Sequence, residues 1–400
     1  MVAEVLNMVI IIGGGPAGLM AAIAASRSHE VLLLEKKEAV GRKLLLTGNG
    51  RCNITNNQSI PNFIKNCYGE PKFLFSHLHQ FGPKEIIQFL ESQGCPVVLE
   101  GDRYYPQSMK ARDVLAILEQ AVRENAQIKT GTEVLDFVVE QNRITKVVTK
   151  ERTYDCQHVI LATGGLSYPQ TGSTGDGFKW LKTWGHQLSD LFGSEVGLIS
   201  QQTSLKDLAG LSLRNKKVSL KVNNRVIKTL VGDVLFTHVG LSGPVILDLS
   251  YEAMVHLRKQ DKVEMELELT ETEVDYTSKK TIQNQLESFL PKRLAAFLIQ
   301  EIAIDGTVQS NQVRKEQRLR LAKLLLGFSV IIEDSLPIEQ AVVTAGGLKL
   351  SEVDPKTLRS KQIKNLTICG ELLNVLGPVG GYNLTIALST GFVAGSNIGL

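Results

Sequence analysis

The sequence predicts an α/β fold. A βαβ unit at the start is completed by the last segment, and a β-rich domain carrying a helical piece is inserted between them. Three observations carry this expectation. A short apolar run, Val9 to Ile12, leads into Gly13-Gly14-Gly15-Pro16 and then into an Ala- and Leu-rich stretch. A second apolar run, "VLLLE", is unbroken rather than alternating, as a strand buried on both faces requires. After about Leu191 the pattern changes to long alternating stretches, and a buried-type strand returns near the end in "NLTICGE".

The elements follow in order. Pro16 suits the first turn of a helix, where its missing N–H is not needed, and the helix runs to about Ser26. The strand "VLLLE" closes the βαβ unit, and the polar stretch "GRKLLLTGNGRCNITN", Gly41 to Asn56, comes next. A helix is expected from Pro83 to Gln93 with Gly94 as its stop. "PVVLEGDRYYPQS" reads as a hairpin turning at Gly101–Asp102, followed by a helix from Ala111 to Asn125. "TEVLDFVVE", "ITKVVTK" and "RTYDC" read as an antiparallel meander, and the buried strand "HVILA" leads into "TGG". Then "KKVSLKVNNRVIKTLVGDVLFTH" alternates as exposed strands do, with a turn at Asn223–Asn224, and "KVEMELELT" alternates likewise. The pattern is helical and polar from Glu271 to Leu326, and "SVIIED" and "AVVTAGG" are strands. The helix-like "NLTIALSTGFVAGSNIG" follows a glycine-rich turn. The expected segments are 1–191 and 345–400 for the α/β domain, 192–270 and 329–344 for the β domain, and 271–328 for the helical insert.

Composition bounds the function. The chain has 400 residues, 43% hydrophobic and 21% charged, as ordinary soluble globular proteins do. A net charge of +3 does not by itself ask for nucleic acid. No apolar run approaches the roughly 18 residues of a membrane helix. "MVAEVLNMVIIIGGG" lacks the basic start of a secretory signal, so a cytoplasmic location is expected. The five cysteines, Cys52, Cys67, Cys95, Cys156 and Cys369, are scattered with no C-x-x-C pair. That argues against a disulfide framework, a zinc site or a redox dithiol. His77 and His79 have no carboxylate or cysteine cluster beside them in sequence, so no metal site is expected.

The first glycines have a specific chemistry. In Gly13-x-Gly15-x-x-Gly18, Gly13 permits a tight turn, Gly15 lets a pyrophosphate reach the backbone, and Gly18 lets the helix pack close to the strand. The helix start, with Pro16 and Ala17, offers free N–H groups to phosphate, and Glu35 stands where a carboxylate accepts from ribose hydroxyls. A Rossmann unit, a meander and an Ala-Thr-Gly-Gly turn occur in the order found in FAD-binding domains of the glutathione-reductase and fumarate-reductase type, which this sequence resembles. No second GxGxxG follows a strand. One tightly bound, non-covalent FAD is therefore expected, with NAD(P)H as a transient reductant at most.

"GRKLLLTGNGRCNITN", "VILATGGLSYPQTGSTGDG", "LFTHVGLSGPVIL", "AVVTAGGL" and "CGELLNVLGPVGGYNLTIALSTG" together resemble one bacterial family. Its members are described as aminoacetone-oxidase-like or bile-acid-reductase-like NAD(P)/FAD-dependent oxidoreductases. The resemblance implies an FAD domain interrupted by a β-barrel-like domain with a small helical insert. It implies that Arg42 and Lys43 meet the pyrophosphate or adenosine side, and that Gly48, Gly50, Arg51, Cys52 and Asn53 lie by the flavin ring. Gly380, Gly381, Tyr382, Asn383 and Leu384 would close over the flavin, and Gly370 and Glu371 would meet the ribityl chain or phosphate. Lys36, Val134, Thr163, Gly164, Gly165 and Thr171 complete the expected cofactor contacts. The family often has Asp where this chain has Asn374, so no carboxylate role is carried to that position. His238, Cys52 and Tyr382 are the catalytic candidates: an acid or base near neutral pH, a proton-donating thiol and a ring-covering phenol; Tyr168 is a further such phenol.

The activity this implies is NAD(P)H-driven reduction of an activated C=C. Arg314, Lys315, Arg318, Arg320 and Lys323 fall within one stretch of the insert, which favours a uridine of ribosomal RNA, reduced to dihydrouridine, as the substrate. The alternatives are a small organic substrate, an oxygen-using amine oxidase, and a flavin-bearing protein without catalysis. Neither DNA nor a membrane is expected as a partner.

Overall fold

The computed structural model describes residues 8–398. The chain forms two compact units, one from the segment up to Phe192 together with the segment from Ile338 onward, the other Gly193–Pro337. The return to the first unit thus falls before 345, and the helices of 271–328 are part of the second unit rather than a body of their own.

The first unit is built on a five-stranded parallel sheet in the order Leu366–Ile368, His158–Leu161, Met8–Ile12, Glu30–Leu34, Gln127–Lys129. Its central strand is unbroken in hydrophobicity because both faces are covered; Val9, Ile10 and Ile11 are fully buried. The meander Val134–Glu140, Arg143–Thr149 and Thr153–Asp155 forms a separate three-stranded sheet. The hairpin Val97–Glu100 and Arg103–Pro106 turns at Gly101–Asp102 and gains a third strand from Thr55–Asn56.

The opening helix Pro16–Ala25 packs backbone against backbone on the closing helix Tyr382–Ser396. Gly391 and Gly395 lie one turn apart on the contact. A Cβ at Gly391 would stand 2.2 Å from the Ala17 carbonyl oxygen, and one at Gly395 would stand 2.3 Å from that of Ala21. Gly391→Ala is favourable by helix propensity alone. Here it is expected to lower stability by about 1–3 kcal/mol, the usual effect of overpacking. A urea midpoint equal to that of the parent protein would show that the contact yields freely.

The second unit carries a seven-stranded antiparallel sheet in the order Phe328–Ile332, Val263–Leu267, Ser212–Val222, Arg225–Phe236, Gly240–Ser242, Leu198–Ile199, Asp334–Ser335. The turn between its two longest strands uses Asn223 and Asn224 at φ +48° and +64°, the left-handed pair a two-residue hairpin requires. The helical piece comprises Ile282–Glu287, Lys292–Glu301 and Lys315–Leu326.

Several helices had no sequence assignment. Pro244–Leu257 begins with proline at its first turn and buries Val245, Ile246, Leu249, Ala253 and Met254 along one face. Its start overlaps the motif "LFTHVGLSGPVIL", whose apolar run hides the helical period. Ile60–Asn66, Phe75–Gln80 and Asp176–Thr183 are too short for periodicity to declare them.

Candidate cofactor-binding site

The carboxyl ends of the four strands Met8–Ile12, Glu30–Leu34, His158–Leu161 and Leu366–Ile368 deliver the site. They are followed by Gly13–Gly15, Glu35, Ala162–Gly165 and Gly370–Glu371 in turn. In parallel α/β sheets this is the edge at which ligands bind. A cleft opens there. Gly13, Gly15, Pro16, Ala17, Glu35, Lys36, Arg42, Lys43, Val134, Thr163, Gly164, Thr171, Gly370 and Glu371 line it.

The glycines divide by role. A Cβ on Gly18 would stand 1.9 Å from the Gly13 carbonyl oxygen, so Gly18 serves the packing of helix on strand. Gly15 is different: nothing lies within 4 Å of the point where its Cβ would be. Gly15 caps the opening helix without any side-chain hydrogen bond, and the first turn holds no acidic residue. The first N–H groups and the positive dipole end therefore face the open cleft.

Charges in the cleft are mostly neutralised by fixed partners. Glu35 accepts from the Gly14 N–H at 2.7 Å and from the Lys37 N–H at 2.8 Å, which fixes its carboxylate at the end of its strand. Lys36 pairs with Asp176 at 2.6 Å and touches the Thr174 hydroxyl. Burial alone would raise the Asp176 carboxyl, but the hydrogen bonds from Lys36 and Thr174 outweigh it and hold the pKa below its ordinary value.

Glu371 is held more tightly. It accepts from Lys43 Nζ at 2.9 Å, Ser167 Oγ at 3.1 Å, the Thr344 N–H at 2.8 Å and the Gly165 N–H at 3.2 Å. Burial again pushes its carboxyl up, and Lys43 with the two backbone donors brings it below the usual range. Lys43 is thereby committed to Glu371. Arg42 is the exposed cation of the cleft with no ion pair among the described residues.

This donor set fits an FAD diphosphate. It combines an uncapped helix start, a backbone approach left open at Gly15, an exposed guanidinium and the fixed Glu35 carboxylate. The Thr163 hydroxyl, buried and without a hydrogen-bond partner among the described residues, is a further unused donor on the lining.

The stretch Gly41–Asn56 does two jobs. Its first residues, Gly41 to Lys43, line the cleft. Its last residues support the glycine turn before the closing helix. Asn56 Nδ2 donates to the Gly380 carbonyl at 3.0 Å. The Thr385 hydroxyl donates to the Gly381 carbonyl at 2.8 Å and pairs with the Thr55 hydroxyl at 2.8 Å. With its amide oriented to satisfy both neighbours, Asn53 donates to the Thr55 carbonyl at 3.0 Å and accepts from the Gly381 N–H at 3.2 Å. Asn383 clamps the same turn, exchanging two hydrogen bonds with Gly377.

Four expected residues are placed differently. Cys52 is fully buried, and burial pushes its thiol up to about 12, so it is a neutral core side chain away from the cleft. Tyr382 is buried as well; its hydroxyl accepts from Asn66 at 3.0 Å and its ring packs 4.5 Å from that of Phe63. Both leave the role of proton donor without solvent access. Arg51 turns from the cleft to Glu100 at 3.1 Å and lies over the Tyr105 ring. His238 is exposed in the second unit. Gly48 and Gly50 adopt φ +56° and +84° in the tight turn leading to Arg51, and Leu384 is buried at the start of the closing helix. His77 and His79 fall on opposite sides of the helix Phe75–Gln80, one buried and one exposed. Sequence reasoning gave no role to Ser167, Thr344, Thr174 or Asp176. All lie inside quoted motifs, but apart from the 174–176 pair their partners lie in other segments of the chain, 27 residues away for Thr344 with Glu371 and more than a hundred for Lys36 with Thr174 and Asp176 and for Ser167 with Glu371.

Among the described residues no group of side chains could hold a metal, and no helix is long and apolar enough to cross a membrane.

Residues 7–397 match the family model described as HI0933-like protein Rossmann domain. The chain is 33% identical to the 3-dehydro-bile acid delta(4,6)-reductase of Clostridium scindens, over 98% of both chains. It is 27% identical to the ribosomal RNA dihydrouridine synthase of Escherichia coli, over 97% of both. Among solved structures, a flavocytochrome c3 fumarate reductase superposes with a TM-score of 0.53 at 15% identity, covering 98% of this chain and 78% of that one. The 3-ketosteroid delta1-dehydrogenase of Sterolibacterium denitrificans gives 0.54 at 13%, covering 97% and 99%. These two show the fold alone. With an uncapped helix start and a fixed carboxylate at the strand ends, and a family match over residues 7–397, the chain belongs to the HI0933-like Rossmann family and is an FAD-dependent oxidoreductase.

Proposed function

We propose that the enzyme reduces an activated carbon–carbon double bond, with NADH or NADPH as the electron source. The observation that carries this is the relationship over the full chain length to a protein named for reducing a delta(4,6) system. A relative named for making dihydrouridine points to the same bond chemistry. The described fold offers one Rossmann cleft, and its lining suits FAD, so the nicotinamide is a visiting reductant. Bound FAD supplies hydride transfer at its ring. The chain's own residues bind and orient: the opening helix and Arg42 hold the diphosphate, Glu35 the ribose, and the Asn53–Thr55–Asn56 segment steadies the Gly380–Gly381 turn.

The substrate is taken to be a small conjugated molecule rather than RNA. The basic row in the insert is smaller than its sequence suggests. Arg318 donates to the carbonyls of Val313 and Asn311, and Arg320 to that of Glu301. Arg314, Lys315 and Lys323 remain outward.

The test is anaerobic mixing of the purified yellow protein with NADH or NADPH while the oxidised flavin band is followed. Rapid bleaching by either nucleotide, and reoxidation by a conjugated enone, is the expected result. A flavin that neither nucleotide reduces would overturn the reading. Arg42→Ala tests the cofactor side. It is expected to weaken FAD binding roughly ten- to a hundredfold and to flatten its dependence on salt, because a guanidinium at a diphosphate is worth about 1.5–3 kcal/mol. Titration calorimetry at two ionic strengths reads both effects.

A further inference from the structure

One face of the small sheet Thr55–Asn56, Arg103–Pro106, Val97–Glu100 has no part in the FAD cleft. Arg103 and Tyr105 alternate onto the same face, and Glu100 is the cross-strand partner of Arg103. The Arg51 guanidinium lies 4.4 Å above the Tyr105 ring and reaches Glu100 with one nitrogen, Nη1, at 3.1 Å. Arg103 lies 3.6 Å from Asp102, beyond hydrogen-bond distance, and makes no hydrogen bond among the described residues. Both arginine side chains are about two-fifths exposed, at 42% and 41%. Two fixed glycine turns border this face. Arg103 Nε is 3.4 Å from where a Cβ on Gly380 would stand, and the Tyr105 ring is 3.6 Å from the same point on Gly48.

We propose that Arg103 and Arg51 form an oxyanion-docking site for the substrate, taking a carboxylate or phosphate that holds the reacting carbon beside the Gly48 and Gly380 turns. The inference rests on the reading that the flavin ring lies along those turns. Stacking on Tyr105 fixes the plane of Arg51, and Glu100 engages only its Nη1 among the described residues. Arg103 has all its donors available. A pair of guanidiniums so held suits a planar, two-oxygen acceptor better than lysines would. Glu100 and Asp102 keep the face near neutrality when nothing is bound, so it does not attract anions indiscriminately.

The experiment uses the FAD-loaded protein. Its visible difference spectrum is followed during titration with inorganic phosphate and, separately, acetate, at constant ionic strength set with sodium chloride. A saturable perturbation is expected, and Arg103→Gln and Arg51→Gln should each raise the half-saturation roughly tenfold at unchanged FAD content and melting temperature. Tighter binding of phosphate supports a phosphoryl-bearing substrate, and tighter binding of acetate a carboxylic acid. Equal half-saturation in parent and variants, or no saturable change, overturns the docking site. Loss of FAD from either variant also overturns it, by making that arginine a cofactor ligand. A parent protein that purifies without flavin and takes up none would overturn the cofactor reading beneath it.

Discussion

Replacing Gly15 by alanine is expected to give a folded protein that no longer holds FAD. The backbone there has φ −76° and ψ 178°, ordinary extended geometry that any residue adopts. Nothing in the protein lies within 4 Å of the added methyl, so the fold has no reason to resist it. The methyl would instead stand in the cleft, over the uncapped helix start. A clash with a bound diphosphate on the scale of core overpacking, about 3 kcal/mol, corresponds to roughly a hundredfold loss of affinity. Thermal melting without added cofactor should match the parent, while flavin absorbance of the purified protein should be nearly absent. Gly15→Ala with full flavin content would show that the phosphates do not approach here. Gly18 provides the contrast: its Cβ would meet the Gly13 carbonyl at 1.9 Å, so the same substitution there should injure the fold itself.

Acid should unfold the first unit well above the pH at which carboxylates alone would release it. His77 is fully buried, and burial lowers its pKa to about 4. Burial also lowers His158 to about 3, with Arg359 and Arg143 nearby adding to the effect. His186 is lowered by burial too; it contacts the Leu181 carbonyl and the Ser360 hydroxyl. In the unfolded chain each titrates near 6.5. Between that value and the folded one the unfolded chain binds more protons, so stability is complete above about 6.5 and falls as the pH drops. At 1.36 kcal/mol per unit, His77 accounts for about 3 kcal/mol and His158 for about 5 kcal/mol across their windows, both upper bounds. Asp176 and Glu371, held low in the fold, extend the loss at still lower pH. Urea midpoints at pH 7.5, 6 and 5 check this. His158→Gln, which can keep a bond to Thr367, should flatten the profile; a midpoint unchanged from pH 7.5 to 5 in the parent would contradict it.

The sequence made the first unit legible because its signals are local. Val9–Ile12, the glycines and Pro16 specify a strand, a turn and a helix within one short stretch, and Gly101–Asp102 marks its own hairpin, as Asn223–Asn224 does in the second unit. The cleft-lining residues next to strand ends were equally readable. Long-range pairing was not. Nothing in the spacing of Lys43, Ser167, Thr344 and Glu371 says that four distant segments meet on one carboxylate. Burial was also hidden. Cys52 and Tyr382 look reactive beside glycines, yet the same glycine turns let the chain fold them inward. Arg51 was read with its neighbours as a cofactor ligand, whereas the hairpin supplies it with Glu100 and Tyr105.

The contact between the opening and closing helices also sets a timetable for synthesis. The opening helix is made several hundred residues before the partner that Gly391 and Gly395 fit against it. The sheet's outer strand Leu366–Ile368 and Glu371, which ties the cleft loops together, come late as well. The intervening unit, Gly193–Pro337, is contiguous and can fold while the nascent first unit waits. Cofactor capture is therefore expected only after the segment from Leu366 to the closing helix has been made, and a nascent chain stalled before Leu366 should carry no flavin.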